Sequence, residues 1–448
     1  MGLKQLKQII IAPLLAALAI IGISGCLQIT ADELYSLPQV SEQYRRLQQH
    51  INTVLSQGAE YSPPTGGPNR QSVQLVDING DGINEVVAFF AFPIDSALRV
   101  YIFKMVDDDY IEAEVITGTG SAIESVRYAD IDGDGANELI IGWQMSAALK
   151  YMSVYAIRDY HAVLLGGTEY NVLSVSDIDE DGIDDIIALR LPSPETGAVA
   201  ELIHLMADGE IVKSDTRLSN GVDTISRVSA GILIDGVPAI FVDSEGRFGD
   251  GTIVTDICVI KDGSLRNVSL KWPSGVSEDT VRNLYNSSDI NKEGTIKVPI
   301  PRLLQPQSET PYHAIDWYAF NSSGHSRLAL TTFHNNNDEW FLILPLDWRG
   351  TVSVRREDTV SGERTVVFSY IVSEDGPYRD FLKIHKLTGD MAEEQSTRPG
   401  RIVLTSEGAA IYAFELLAPQ NSFGLTFDEE LIKDNFRLMY SDWLSRAN

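Results

Sequence analysis

Asp130-Ile-Asp132-Gly-Asp134-Gly135-Ala136-Asn-Glu138 is the stretch on which the reading of this 448-residue chain turns. Acidic side chains stand at loop positions one, three, five and nine, with glycine at six. Alternate residues of a tight loop turn their side chains inward, so the oxygens converge on one point. Gly135 permits the left-handed backbone that so sharp a turn requires. Ala136, at position seven, would offer its backbone carbonyl. A hard cation that takes several oxygens, calcium, is the natural occupant.

The same loop stands upstream as Asp77-Ile-Asn79-Gly-Asp81-Gly82-Ile83-Asn-Glu85, and downstream as Asp177-Ile-Asp179-Glu-Asp181-Gly182-Ile183-Asp-Asp185. The expected ligand sets are therefore Asp77, Asn79, Asp81, Ile83 and Glu85; Asp130, Asp132, Asp134, Ala136 and Glu138; and Asp177, Asp179, Asp181, Ile183 and Asp185. About three structural Ca²⁺ ions follow from these sets. The loops are not EF-hands, which take a bidentate glutamate from position twelve and lie between two helices. Position twelve here is Ala88, Ile141 and Ala188. Each loop runs into an apolar segment, Val86–Phe90, Leu139–Ile141 or Ile186–Leu189, and follows a short apolar or alternating one. Such runs, rich in Val and Ile, read as strands. The unit is strand, metal loop, strand.

The copies recur at an interval of about fifty residues, the mark of propeller blades. On these loops the chain resembles the FG-GAP and VCBS repeat families, whose integrin-alpha-like blades carry Asp-x-Asp-Gly-Asp-Gly. The resemblance covers about Ser62 to Leu304. It implies a β-propeller but no particular reaction, because such families include adhesion and ligand-binding proteins as well as carbohydrate-active enzymes. The expected fold is mainly β: a propeller with calcium-loop blades, a short N-terminal helix, and a C-terminal antiparallel sheet plus helix.

Residues 1–25 read as a targeting segment, with Lys4 and Lys7 ahead of an apolar core from Ile9 to Ile23. It ends Ile23-Ser-Gly-Cys26, which resembles the lipobox of bacterial lipoproteins. The resemblance implies cleavage before Cys26 and acylation of its thiol. The mature chain would then be tied to a membrane by lipid, facing outside the cytoplasm. Cys258 is the only other cysteine, so with Cys26 acylated no intramolecular disulfide forms. Bound metal is the remaining staple for an exported chain. With 63 acids against 35 bases, the net charge of −28 argues against nucleic acid and against charge-driven binding to anionic membrane.

Residues 26–61 form a tether and an amphipathic helix over Gln39–Gln57, with Val40, Tyr44, Leu47, Ile51 and Leu55 three or four apart. Ser62–Asn69, rich in Pro and Gly, breaks regular structure. Residues 62–311 hold the repeats. After Asp185 the loop decays. Asp235-Gly236 has lost the carboxylates, and Asp289-Ile-Asn291-Lys-Glu293-Gly294-Thr-Ile-Lys297 has lysine at position nine. An ammonium there would replace the charge of a metal. Two readings stay open for 312–448: an antiparallel sheet covered by a helix over Asp428–Arg446, capped by Thr426 with Glu429 and with Ile432, Phe436, Met439 and Trp443 stepping by four, three and four along one face, or the last blades of the propeller plus that helix.

The search for catalysis is negative. There is no phosphate loop, no H-E-x-x-H and no G-x-S-x-G. Cys258 lies in an alternating strand and reads as a small buried residue. His325 and His334 flank a strand and read as ordinary surface or rim positions rather than a metal site. Trp317, Tyr318, Trp340 and Trp348 could stack on sugars, but packed sheets use aromatics routinely. The leading expectation is a non-enzymatic, lipid-anchored platform for a protein or glycan partner, in adhesion or envelope assembly. The alternative is a polysaccharide lyase or hydrolase whose site, in the propeller channel, would gather an acid, a Tyr or His, and an Arg.

Overall fold

The computed structural model describes residues 42–118, 120–205, 211–246, 251–305, 311–360, 362–373 and 376–439. The targeting segment, Cys26 and the start of the tether lie outside them, as does Trp443. The chain divides into two compact units.

In the first unit, the described residues are the helix Glu42–Ser56, with Gln57, and the tip Met105–Ile111. Leu47 and Ile51 of the expected stripe are buried, together with Val54; Tyr44 is exposed, Leu55 is half-buried, and Val40 lies outside the described residues. Arg46 pairs with Asp109 of the tip at 3.5 Å.

In the second unit the described residues build six antiparallel sheets, one after another. The first has Val73–Val76, Glu85–Phe92, Ala97–Val106 and Asp109–Gly118 in order, with Glu60–Tyr61 also on Glu85–Phe92. The second is Ala122–Ala129, Glu138–Gln144, Lys150–Arg158 and His161–Tyr170; the third is Val172–Ser176, Asp185–Arg190, Val199–Leu205 and Ile211–Arg217. The fourth is Val222–Ile232, Pro238–Gly246, Thr252–Lys261 and Ser264–Asn267, with Arg282–Asn283 added on Thr252–Lys261. These meanders of four strands are the blades expected from the repeat.

The cores form because the strand after each loop is apolar on both faces. In Glu138–Gln144, Leu139 and Ile141 face the first sheet and join Val87, Phe89 and Val100 in one cluster. Ile140, pointing the other way, joins Ile186, Ala188 and Ile203 of the third sheet. Ile187 and Leu189 in turn meet Ile240, Val242 and Cys258 of the fourth. A period of two thus sends alternate residues into successive inter-sheet cores. Cys258 is 1 % exposed, the buried residue that its strand pattern implied.

The fifth sheet runs Val298–Leu303, His313–Phe320, Ser326–Asn335 and Trp340–Leu344, then takes Phe436–Leu438 as its outer strand. The sixth is Val352–Val360, Glu363–Ile371, Tyr378–Leu387, Ala410–Leu416 and Arg401–Glu407. The 311/312 boundary drawn from the sequence runs between two paired strands of the fifth sheet. Trp317, Trp340 and Trp348 are at most 2 % exposed, so these three rings are core and not a ligand surface; Tyr318 is half-buried.

The C-terminal helix is shorter than expected and capped differently. It spans Glu429–Asn435, and Asp428, not Thr426, caps it by accepting from the Leu431 amide at 2.8 Å. The Thr426 amide instead donates to Asp347. Phe436, placed on the helix by its spacing, begins a strand. Its backbone pairs with Leu342, and its ring lies 5.6 Å from Trp340 and 5.7 Å from Tyr412. A free strand edge and an aromatic pocket outweigh another helical turn.

Candidate metal centres

Each predicted metal loop joins the first and second strands of its sheet, at Val76/Glu85, Ala129/Glu138 and Ser176/Asp185. The position-six glycines have φ of +84°, +88° and +91° (Gly82, Gly135, Gly182), the left-handed backbone expected. The position-one carboxylate organises the turn. Asp77 accepts from the amides of Gly80 and Gly82 at 2.8 Å each, and Asp130 from those of Gly133 and Gly135 at 2.7 and 2.9 Å. Asp177 accepts from Asp181 and Gly182 at 3.2 and 2.9 Å.

Position nine opens the second strand and points inward. Glu85, Glu138 and Asp185 are 1 %, 3 % and 5 % exposed. Each gives one oxygen to the position-two amide, of Ile78, Ile131 and Ile178, at 3.0–3.1 Å. The other oxygen of Asp185, Oδ1, lies 3.4 Å from His204 Nδ1. In Glu85 that atom, Oε1, is buried with no hydrogen-bond donor among the described residues. Burial pushes the Glu138 carboxyl up to about 7 and that of Asp185 up to about 6, and the neighbouring loop carboxylates add to both. Glu85, Asp132 and Asp179 are raised for the same reasons.

The structure brings positions one, three and nine together. The carboxylates of Asp130, Asp132 and Glu138, and those of Asp177, Asp179 and Asp185, each offer oxygens within 4.8 Å of one another. In the first loop Asn79 replaces the middle acid, and its amide also reaches Tyr160 at 3.1 Å. Position five turns partly to the backbone. Asp81, Asp134 and Asp181 each accept from the position-seven amide of Ile83, Ala136 and Ile183, at 2.8–2.9 Å. The donor set is oxygen throughout, carboxylate-rich and partly unsatisfied, which fits a hard divalent cation.

Reading residues one loop at a time misses that the loops interlock. The Asn137 amide nitrogen donates to Ile78 O at 2.7 Å, and its side chain to Asp77 O at 2.9 Å. The Asp184 amide donates to Asp130 O at 3.0 Å. A Cβ at Gly80 would collide with the carbonyl of Gly135. The sequence signal is the polar residue at position eight of each loop: Asn84, Asn137, Asp184.

The decayed loops behave as their losses imply. Lys297 is 3 % exposed, and its ammonium lies 2.7 Å from Asn291 Oδ1, 3.0 Å from Thr295 O and 3.8 Å from Asp289. A side-chain cation stands among the oxygens of that loop. Asp235 accepts from the amide and hydroxyl of Ser322.

Two polar clusters escaped the sequence altogether. Arg282 and Asp243, both fully buried, pair at 2.9 Å, and Ser287 and Thr255 donate to the same carboxylate. Glu124 meets Lys150 at 2.7 Å and Tyr170 at 2.6 Å beside a basin between sheets. Neither has a spacing that sequence alone would mark.

Among known proteins, the FG-GAP-like repeat family matches residues 77–141, the first two loops and the strands between them. No curated protein matches the chain. Solved structures similar to it include a protein from Lactobacillus plantarum, at 8 % identity and TM-score 0.30, covering 71 % of this chain and 85 % of that one. An exotype rhamnogalacturonan lyase, YesX, follows at 11 % and 0.26, covering 79 % and 74 %. Sqt1 of Saccharomyces cerevisiae stands at 10 % and 0.23, covering 67 % and 96 %. At these scores the three carry no argument about this chain. The repeat match falls on the loops whose geometry is described above: residues 77–141 carry an FG-GAP-like repeat.

Proposed function

We propose that this chain is a lipid-anchored, extracytoplasmic protein whose stacked sheets, stapled by calcium at three loop tips, present a rigid surface to a protein or glycan partner. The observation that carries the reading is the buried, donorless Oε1 of Glu85 at the mouth of a carboxylate loop. An exported chain that buried such an oxygen without a cation would lose stability. Asp77, Asn79 and Glu85 would hold one ion; Asp130, Asp132 and Glu138 a second; Asp177, Asp179 and Asp185 a third. The ion would neutralise carboxylates that otherwise repel one another. The anchor rests on the Cys26 motif of the sequence.

The test is calorimetric titration of chelated protein with Ca²⁺, paired with melting curves. About three sites and a higher melting temperature support the reading. No binding at millimolar Ca²⁺, where extracellular modules of about 10⁻⁴–10⁻³ M affinity respond, overturns it. A second reading, a carbohydrate-active lyase or hydrolase, is favoured by the acid, tyrosine and arginine of one basin, Glu124, Tyr170 and Arg127. Screening acidic and neutral polysaccharides for unsaturated products or new reducing ends decides it.

A further inference from the structure

The geometry points to a binding site for a carboxylate-bearing sugar in the basin between the second, third and fourth sheets. It rests on the platform reading and says where on that platform a glycan sits. The basin has a volume of about 480 Å³ and is lined by the inner strands of the three sheets, Ala122–Ala129, Val172–Ser176 and Val222–Ile232. Its charged groups are Glu124, Arg127, Lys150 and Arg227. Three cations facing one acid run against a chain with 63 acids and 35 bases.

Glu124 is already committed. Lys150 Nζ lies 2.7 Å from one of its oxygens, and the Tyr170 hydroxyl donates to the other at 2.6 Å. These bonds hold the Glu124 carboxyl below its ordinary range despite burial. The two arginines are left over. Among the described residues neither has a carboxylate within salt-bridge distance. Arg127 makes one long bond, from Nη2 to Leu173 O at 3.4 Å, and its Nε is buried with no acceptor. Arg227 donates from Nε to Ser229 at 3.1 Å. Burying a guanidinium with no acceptor on its Nε is costly: burial lowers the proton affinity of Arg127, and the charge of nearby Glu124 offsets this only in part. A ligand carboxylate would supply the missing acceptors, because the planar guanidinium fork matches carboxylate geometry.

The remainder of the basin suits a sugar better than a bare ion. A volume of this size lies in the range for small organic ligands, far beyond what an inorganic anion fills. Asn171, Ser174 and Ser226 line it with groups that both donate and accept, as sugar hydroxyls require. The walls are fixed. The Tyr170 hydroxyl sits where a Cβ on Gly142 would collide, and the Gly66 amide donates to Glu124 O at 2.7 Å, pinning the Ser62–Asn69 strap along the second sheet. A site whose walls are set before binding loses little entropy when the ligand arrives.

The test titrates the full chain, calcium-loaded, with di- and trigalacturonate, with the neutral galactose disaccharide and with inorganic phosphate. Binding of the uronates, weakened by added salt, is expected; the neutral sugar should not bind. Arg127→Gln and Arg227→Gln should each weaken uronate binding at least tenfold, and Arg127→Lys should lose less than Arg127→Gln. Melting curves and calcium titrations of each variant confirm that it is folded. The site assignment is overturned if no uronate binds, if the neutral sugar or phosphate binds as tightly, or if folded Arg127→Gln binds unchanged. Calcium stabilisation without uronate binding would sink the basin and leave the platform; uronate binding without calcium stabilisation would do the reverse.

Discussion

Lys297 holds its ammonium 2.7 Å from Oδ1 of Asn291, among the oxygens of a loop that elsewhere in the chain closes on a carboxylate. Where the three complete loops would bind a diffusible cation, this loop carries a covalent one. Lys297→Glu restores the position-nine acid beside Asp289, Asn291 and Glu293. It should add one calcium site in titration and make that variant more dependent on calcium than the parent. Lys297→Met leaves the loop acids without their cation and should lower stability by about 1–3 kcal/mol in urea melts, an upper figure because Glu293 is largely exposed. A Lys297→Glu variant with no extra site would refute that equivalence.

Removing a converging oxygen should remove one ion. Asp132→Ala takes the middle carboxylate out of the second loop and should reduce the calcium count by one, lowering the melting temperature in calcium but changing it little in chelator. Asp289→Ala should leave the count unaltered, because Lys297 occupies that loop. Equal counts for the two variants would contradict the assignment of ligands.

Coupling between loops is a separate expectation. Asn137 ties the second loop to the backbone of Asp77 and Ile78 in the first. Asn137→Ala removes only the side-chain bond, yet it should weaken calcium binding at both loops, because ordering one tip orders its neighbour. Fluorescence titration comparing Asn137→Ala with Asn84→Ala checks this; a loss confined to one site would argue against coupling.

Much of this arrangement is legible in the sequence. Spacing alone marks the three loops, their glycines and the flanking strands, because each acts within nine residues. The burial of Trp317 and Trp340 follows from their place in apolar strands. The loop-to-loop bonds are not legible, since a side chain reaching a neighbouring sheet's backbone leaves no periodic trace. The helix end at Phe436 is not legible, because spacing of three and four cannot register a free strand edge at Trp340–Leu342. Arg127 alternates with Val126 and Tyr128 as any strand residue does, and only the stacking of three sheets shows that it faces a basin.

His334 gives the chain an acid limit. Its imidazole lies among the rings of Tyr285, Trp317 and Phe341, at 5.2–6.2 Å, and burial holds it down at about 3 against the ordinary 6.5. The unfolded chain therefore binds a proton on this histidine from about pH 6.5 downward, while the folded chain refuses it until about pH 3. Stability contributed by the neutral ring is complete above pH 6.5 and falls as pH drops through that window, by at most about 1.4 kcal/mol per pH unit. His334→Phe should flatten the slope between pH 6 and 4 in denaturant melts. An unchanged slope would mean that the ring titrates normally in the fold.

The buried pair of Arg282 and Asp243 makes the sharpest prediction about stability. Both side chains are 0 % exposed and sit in the fourth sheet, where the loop carboxylates have been lost. Arg282 also donates to Thr255 Oγ1, Thr280 O and Tyr285 O at 2.7–2.9 Å, so it fastens the excursion after Thr280 to the sheet. Arg282→Met strands the Asp243 charge in the core and should cost about 3–5 kcal/mol. Adding Asp243→Asn removes that charge while keeping an acceptor for Ser287, and should recover part of the loss. The ordering matters: if the double variant is less stable than Arg282→Met alone, the penalty lies in broken hydrogen bonds and not in an unpaired charge. Urea melts of the three proteins, at a pH where His334 is neutral in both states, separate the two outcomes.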